Sequence, residues 1–150
     1  NIQHKNNNGL ITLTDPQLSF IFFVKGNRSP SDRPEHFAHS NGAIAMTEVW
    51  LALDGTAFKK LRKLLLSLGS IERAETVMAP ASTHAHVFYL LNGRVLVVPK
   101  KRQLIFGREI IGARFHVQNG QSQRSGSGST DTIIQPSIAY GQWLRLTSQP

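Results

Sequence analysis

Short apolar runs broken by turn residues fill the second half of this 150-residue sequence and constrain its fold more than any other feature. Asn92 and Gly93 stand between two such runs, and both tolerate the positive φ that a type I′ hairpin turn requires. Closely spaced short strands are typical of an antiparallel roll or barrel. We predict strands at Thr76 to Met78, Val87 to Leu91, Arg94 to Val98, Gln103 to Phe106, Thr132 to Ile134 and Ser137 to Tyr140.

An amphipathic helix is predicted ahead of these strands, from Thr56 to Leu68. Its apolar residues recur at helical spacing, Asp54 or Thr56 can cap its start, and Gly69 can end it. The basic residues of its other face fit a solvated helix surface better than a binding role; they are Lys59, Lys60, Arg62 and Lys63. The apolar face should share one core with the hairpin, formed by Phe58, Leu61, Leu65, Phe88, Leu90, Val95 and Val97.

The first 45 residues differ in character from the remainder, because polar and loop-forming residues surround one apolar run. That run, from Leu18 to Val24, favours a strand, with Gly9 to Thr14 as its partner. We therefore divide the chain into an N-terminal extension, residues 1–45, and a domain, residues 46–150. The fold class is α+β: an antiparallel, jelly-roll-like β-roll with flanking helices, one of them a short helix after about Tyr140.

The charge of the chain indicates an anionic partner without identifying it. Seventeen Lys and Arg residues against nine Asp and Glu residues give a net charge of +8, which attracts small anionic ligands and nucleic acid alike. Because cysteine is absent, disulfides and Cys-based zinc sites are excluded. The longest apolar run is far shorter than the roughly 20 residues of a membrane helix. We expect a cytoplasmic protein with no membrane association and no cofactor, and leave its oligomeric state open.

A resemblance to a known family rests on the segment VFYLLNGRVLVV, from Val87 to Val98. This segment resembles the strand-turn-strand signature of cyclic nucleotide-binding domains. The predicted helix precedes it, RQLIFGREIIGA follows with Gly107 and Gly112, and SIAYGQWLRL resembles the family's last strand leading into a helix. The likeness covers about residues 51–146. It implies a regulatory or sensory ligand-binding domain, as in bacterial transcription regulators, and not an enzyme.

The resemblance also implies a ligand site at Gly112, Ala113, Arg124 and Ser125. In the family a Glu after the second glycine binds the ribose hydroxyl, and an Arg pairs with the cyclic phosphate. Here Ala113 takes the place of that Glu, while Arg124 keeps a guanidinium suited to an anion. Losing the acceptor would cost about 1 to 3 kcal/mol, so we expect cyclic nucleotides to bind no tighter than high micromolar. The alternative for Arg124 is a solvated loop residue.

A basic stripe gives an alternative function, a nucleic-acid or polyanion-binding module. It comprises Arg94, Lys100, Lys101, Arg102 and Arg108. Such a stripe could neutralise several phosphates in a salt-dependent manner. Equally, the charges could protect a strand edge from aggregation.

Two further sets of residues are candidate sites. The segment FVKGNRSP, which ends at Pro30, with Ser82-Thr83-His84 and Glu109, faintly resembles the three elements of ADP-ribosyltransferase toxins, a second alternative. Two histidine pairs are candidate metal ligands. Neither pair has a third ligand at fixed spacing, so we interpret them as surface histidines. These pairs are His36 with His39 and His84 with His86. His116 is similarly ambiguous, although the basic tract that contains it near Arg114 could contact an anion.

Overall fold

The computed structural model describes residues 4–7, 10–24, 43–100, 109–117, 131–134 and 143–148. Within these ranges the chain forms one helix, α1 (Gly55–Ser67), and ten strands. The strands are β1 (His4–Asn7), β2 (Leu10–Leu13), β3 (Phe22–Val24), β4 (Ala43–Ala52), β5 (Ile71–Met78), β6 (Ser82–Leu90), β7 (Gly93–Val98), β8 (Ile110–Val117), β9 (Asp131–Ile134) and β10 (Trp143–Ser148). No helix in the described ranges is long and apolar enough to cross a membrane.

The strands form a small sheet and a large one. The small sheet has the order β1-β2-β3, and the large sheet has seven strands in the order β5-β6-β7-β4-β8-β10-β9. Most neighbours are antiparallel, but β4 runs parallel to β7 and β10 runs parallel to β8. The predicted α+β class with a β-rich core is therefore confirmed. The sheet is mixed and open, and a jelly-roll is not confirmed.

Each side of the large sheet carries its own apolar cluster. On one side α1 packs through Leu61 and Leu65 against Phe88 and Val97. On the other side Trp50, Val87 and Leu96 are fully buried together with several alanines. Because successive residues of a strand point to opposite sides, β6 and β7 contribute to both clusters.

The large sheet is strongly curled. Arg145 on β10 donates from Nη1 to the carbonyl oxygen of Met78 on β5, at 3.3 Å. These two strands lie near opposite ends of the strand order, so a flat sheet would hold them far apart. The register places Arg145 on the same side as Trp50, so the sheet curls around the Trp50 cluster.

The predicted helix is confirmed to within one residue at each end. The Asp54 carbonyl accepts the first helical bond from the Phe58 amide, at 3.3 Å, although its side chain makes no capping bond. Gly69 has a φ of +84° and ends the helix. Of the predicted core residues, all but Leu90 belong to or pack against the cluster beneath α1; Leu90 is 39% exposed at the end of β6.

The hairpin of β6 and β7 is confirmed, but the predicted turn is wrong. Leu90 pairs with Gly93, so the turn residues are Leu91 and Asn92, and Gly93 does not have a positive φ. Gly93 is required for a different reason. A Cβ at this position would lie 2.9 Å from the carbonyl oxygen of Thr47, so β4 could not approach so closely.

Several other elements differ from their predictions. Trp143–Ser148 is strand β10 and not a terminal helix, because the free side of β8 offers it a continuous parallel partner. Only Phe22–Val24 of the run from Leu18 is a strand, although Leu18 itself is fully buried. Strands β1, β4 and β8 were not predicted, and β5 begins at Ile71, five residues before its predicted start at Thr76. The proposed strands at Gln103 to Phe106 and Ser137 to Tyr140 lie outside the described residues.

The N-terminal segment packs onto the rest of the described chain. Leu13 and Leu18 belong to the cluster beneath α1, and Lys60 of α1 forms an ion pair with Asp15 at 2.6 Å. The boundary drawn after residue 45 falls inside β4.

Candidate functional site

One row of residues crosses the large sheet, with one member from each strand. The pairing register sets them opposite one another in the order Ile71, Tyr89, Arg94, Glu48, Arg114, Arg145 and Ile133. Directly opposed residues point to the same side of a sheet. Three arginines and one glutamate are therefore gathered on the Trp50 side, inside the curl.

Glu48 lies at the centre of this row and is 2% exposed. Its Oε1 accepts hydrogen bonds from both Nε and Nη2 of Arg94 and from Nη1 of Arg114, the first and last at 2.9 Å. Its Oε2 accepts from the indole Nε1 of Trp50 at 3.0 Å. The buried carboxylate is thus bonded on both oxygens, as a buried charge requires.

The pKa of Glu48 reflects two opposing effects. Burial alone would raise the pKa of this carboxyl, but the hydrogen bonds from Arg114, Trp50 and Arg94 outweigh it, so its pKa lies below the ordinary value. Burial would likewise lower the pKa of Arg94, and the bonds to Glu48 raise it. Glu48 and Arg94 are therefore both charged at neutral pH.

A second layer of contacts fixes the two arginines. Arg114 donates from Nε to Thr147 Oγ1 at 3.1 Å, and Arg94 donates from Nη1 to the Tyr89 hydroxyl at 3.5 Å. That hydroxyl in turn donates to the carboxylate of Glu75 at 2.8 Å. Held in this way, the guanidinium groups need little rearrangement to meet a ligand.

The cluster forms part of the lining of an open depression of about 350 Å³ at the surface. Its polar lining residues are Thr47, Glu48, Tyr89, Asn92, Arg94, Arg114 and His116. Glu48 contributes one negative charge and the two arginines contribute two positive charges, so these three residues give the lining an excess of one positive charge. The Nδ1 atom of His116 is buried and has no hydrogen-bond partner among the described residues.

The residues expected from the family resemblance are placed differently. Gly112 lies opposite both Trp50 and Trp143, and Ala113 opposite both Val49 and Leu144, so β8 has a neighbouring strand on either side at this point. This is a sheet interior and not a loop that could wrap around a phosphate. Arg124 and Ser125 lie outside the described residues.

The basic stripe is only partly described. Arg94 is bonded to Glu48, whereas Lys100 is exposed just after β7. Lys101, Arg102 and Arg108 lie outside the described residues. The first member of the stripe therefore belongs to the buried cluster.

The ADP-ribosyltransferase elements form no described site. Ser82 and Thr83 begin β6 with His84 after them, and Glu109 precedes β8 and accepts the Ala52 amide on its backbone oxygen at 2.7 Å. Pro30 and the residues just before it lie outside the described residues.

The histidines form no described metal site. His86 contacts Glu72 through Nδ1 at 3.0 Å, and His36 and His39 lie outside the described residues. The described part of the chain holds no group of three metal-ligating residues.

Glu48 and Tyr89 were missed by the sequence analysis, whereas Arg114 and His116 belong to the basic tract that it gave as a possible anion contact. The available signal was a lone acidic residue in the apolar run of β4, since an unpaired charge is hardly ever buried. Its partners could not be found from spacing, because 46 and 66 residues separate Glu48 from Arg94 and Arg114.

The chain matches no family model, no curated protein and no solved structure. A function must therefore be argued from the geometry of this site.

Proposed function

We propose that this chain is a regulatory or sensory domain that binds a small anionic ligand at the depression over Arg94, Glu48 and Arg114. One observation carries the proposal: two guanidinium groups are held on either side of a single buried carboxylate at an open surface. Because one positive charge remains uncompensated, an anion entering the depression gains electrostatic energy without first ordering the arginines.

The shape and the donors of the depression suit a small phosphate or carboxylate compound. Its volume of about 350 Å³ falls at the lower end of small-molecule sites. Guanidinium groups bind such anions through paired, charge-assisted hydrogen bonds. Asn92 and His116 add side chains that can accept or donate hydrogen bonds at the rim.

Binding is favoured over catalysis by the state of Glu48. A general base must be able to accept a proton from a substrate. The carboxylate of Glu48 is instead occupied by Arg94, Arg114 and Trp50, and its pKa is lowered. This group therefore serves to position the arginines.

The proposal extends to the finer fold, a divergent β-roll related to cyclic nucleotide-binding domains. Supporting features are the helix ahead of the sheet, the hairpin of β6 and β7, and the curl that brings Arg145 to Met78. In this proposal the ligand lies over Arg94 and Arg114 and not beside Gly112, whose strand is paired on both sides.

The test is calorimetric titration with inorganic phosphate, followed by cyclic AMP and cyclic GMP. We expect saturable phosphate binding that weakens about tenfold or more in Arg114→Gln, since a charged hydrogen-bonding partner is worth roughly 1.5 to 3 kcal/mol. Lys59→Gln removes the same charge from the exposed face of α1 and should leave the affinity unchanged. Circular dichroism checks that both variants are folded.

Equal phosphate affinity in Arg114→Gln and the wild type would contradict the proposed site. The cyclic nucleotides should bind no tighter than high micromolar. If either bound with a submicromolar Kd that Arg124→Ala abolished, the site implied by the family resemblance would be the correct one.

A further inference from the structure

Strand β5 forms one end of the large sheet, and no described strand pairs with its outer edge. It pairs with β6 along its whole length, from Ile71 opposite Tyr89 to Met78 opposite Ser82. Within the described ranges no strand lies on its other side, and of its outer groups the Met78 carbonyl oxygen accepts a bond from Arg145. An open, regular edge of this kind is a template for a further strand.

The charged residues of β5 are divided between the two sides of the sheet. Arg73 and Glu75 lie on the Tyr89 side, where Glu75 accepts the tyrosine hydroxyl bond and the Arg73 guanidinium stands 5.5 Å from the ring centre. Glu72 lies on the side of α1, where it pairs with Arg62 at 2.7 Å. Two opposite charges, two residues apart, therefore share the side facing away from the helix.

Symmetry restricts how two copies of β5 can pair. Two antiparallel copies in one continuous sheet are related by a twofold axis perpendicular to it, so opposed residues must come from the same side. The central registers are therefore those centred on Arg73, Ala74 or Glu75. The first sets Arg73 opposite Arg73 and the last sets Glu75 opposite Glu75, and both pairs are repulsive.

The register centred on Ala74 is the complementary one. It sets Arg73 of each copy opposite Glu75 of the other, so that two ion pairs form by symmetry. It also sets Ile71, which is 62% exposed, opposite Val77 at each end. Opposite charges and apolar pairs facing one another are the contacts that stabilise neighbouring strands.

We propose that a second copy of this chain pairs with the first through β5, antiparallel and centred on Ala74. The two large sheets then continue across the twofold axis. This proposal rests on the edge strand alone and is independent of anion binding over Arg94 and Arg114.

Charge reversal tests the register. Arg73→Glu sets two glutamates opposite each other, and Glu75→Arg does the same with two arginines, so each variant should dimerise about tenfold or more weakly than the wild type. An equimolar mixture of the two variants restores both ion pairs and should form heterodimers. Lys63→Glu changes the charge equally on the exposed surface of α1 and should dimerise like the wild type. Sedimentation equilibrium measures all five samples, the wild type included, and circular dichroism verifies folding.

Disulfide cross-linking tests the position of the twofold axis. The chain has no cysteine of its own, so an introduced cysteine can be cross-linked only to its copy in another chain. Ala74 is exposed and meets its own copy on the axis, where opposed Cβ atoms lie within about 5.5 Å. Ala74→Cys should therefore oxidise to a disulfide-linked dimer, while Ser67→Cys on α1 should stay largely monomeric. A monomeric wild type at high concentration, or dimers that neither charge variant weakens, would overturn the proposal.

Discussion

Glu48 is a charged residue at a position that strands normally give to an apolar side chain. It is 2% exposed and lies two residues from the fully buried Trp50. An ion so placed is tolerated only when its desolvation is offset by close partners, and here Arg94 and Arg114 provide that offset. The residue is therefore more sensitive to loss of its charge than an exposed glutamate.

We predict that Glu48→Gln lowers the free energy of unfolding by about 3 to 5 kcal/mol at neutral pH, because two arginines lose their shared partner. Glu109→Gln is the matched control: Glu109 is half-buried, and the hydrogen bond it forms with the described residues is made by its backbone oxygen, so the loss there should be small. Urea unfolding followed by circular dichroism measures both. Equal losses in the two variants would contradict this account of Glu48.

The difference in unfolding free energy between the wild type and Glu48→Gln should depend on pH in a defined direction. The pKa of Glu48 is lowered from an ordinary value of 4.5, so folding stabilises its charged form. That stabilisation is complete above the unfolded pKa and is lost as the pH falls through the folded pKa. The difference between wild type and Glu48→Gln should therefore be constant from about pH 5 to 7 and shrink below about pH 4.5. A difference that grew on acidification would exclude this linkage.

Gly93 illustrates how a residue can be predicted correctly for the wrong reason. The pair Asn92-Gly93 indicated a hairpin because such residues favour tight turns, and the hairpin is there. The glycine is nevertheless in the strand, where β4 approaches its backbone too closely for a Cβ. That requirement comes from a segment more than 40 residues away and leaves no local pattern.

Among the elements, local ones were predictable and non-local ones were not. Helix α1 carries its own periodicity, start and stop signals within some fifteen residues, and it was predicted almost to the residue. The second half of strand β4 is buried on both sides of the sheet, so its sequence lacks the alternation of apolar and polar residues that marks a half-exposed strand. A helix at the position of strand β10 was implied by the family resemblance alone, whereas the strand depends on its pairing with β8, about 30 residues earlier in the chain.

Packing of α1 on the sheet gives a prediction at the scale of elements. Leu61 is 1% exposed against Phe88 and Val97, whereas Leu66 on the same helix is 39% exposed. We expect Leu61→Ala to cost about 2 to 5 kcal/mol in unfolding free energy, from lost burial and an unfilled cavity. Phe88→Ala, on the opposing strand, should cost a similar amount. Leu66→Ala should cost well under half as much, and chemical denaturation compares the three.

A loss below about 1 kcal/mol in both Leu61→Ala and Phe88→Ala would be too small for buried core residues. The cluster beneath α1 would then not be the core that holds the helix to the sheet. Because Leu61 and Leu66 share one helix, their difference isolates burial from helix propensity.

For the whole molecule, the candidate site depends on topology more than on sequence pattern. Glu48, Arg94 and Arg114 are far apart in the chain and meet because β4 lies between β7 and β8 in the sheet. The sequence indicated an anionic partner through its net charge of +8, and it indicated Arg94 as a basic residue of interest. It could not indicate that Arg94 faces a buried carboxylate, since that requires the strand order.

The net charge also provides a test that separates the proposed ligand site from a nucleic-acid module. A protein of charge +8 attracts duplex DNA whatever its function, so weak binding that declines steeply with salt is expected. The informative observation is which residues control the affinity for DNA. We predict that reversing Lys100 and Lys101 to Glu weakens DNA binding and lowers the slope of log affinity against log salt by about one unit for each DNA phosphate that the protein no longer neutralises.

The same double reversal should leave phosphate binding intact, since among the described residues the depression is lined by Arg94 and Arg114 and not by Lys100. Arg114→Gln should do the opposite, weakening phosphate binding while changing DNA binding little. Fluorescence anisotropy from about 50 to 200 mM salt measures the DNA affinity, and calorimetry measures the phosphate affinity. If DNA bound below micromolar at physiological salt, and reversal at Lys100 and Lys101 abolished it, the chain would act as a nucleic-acid-binding module. The arginine cluster would then serve only to stabilise the sheet.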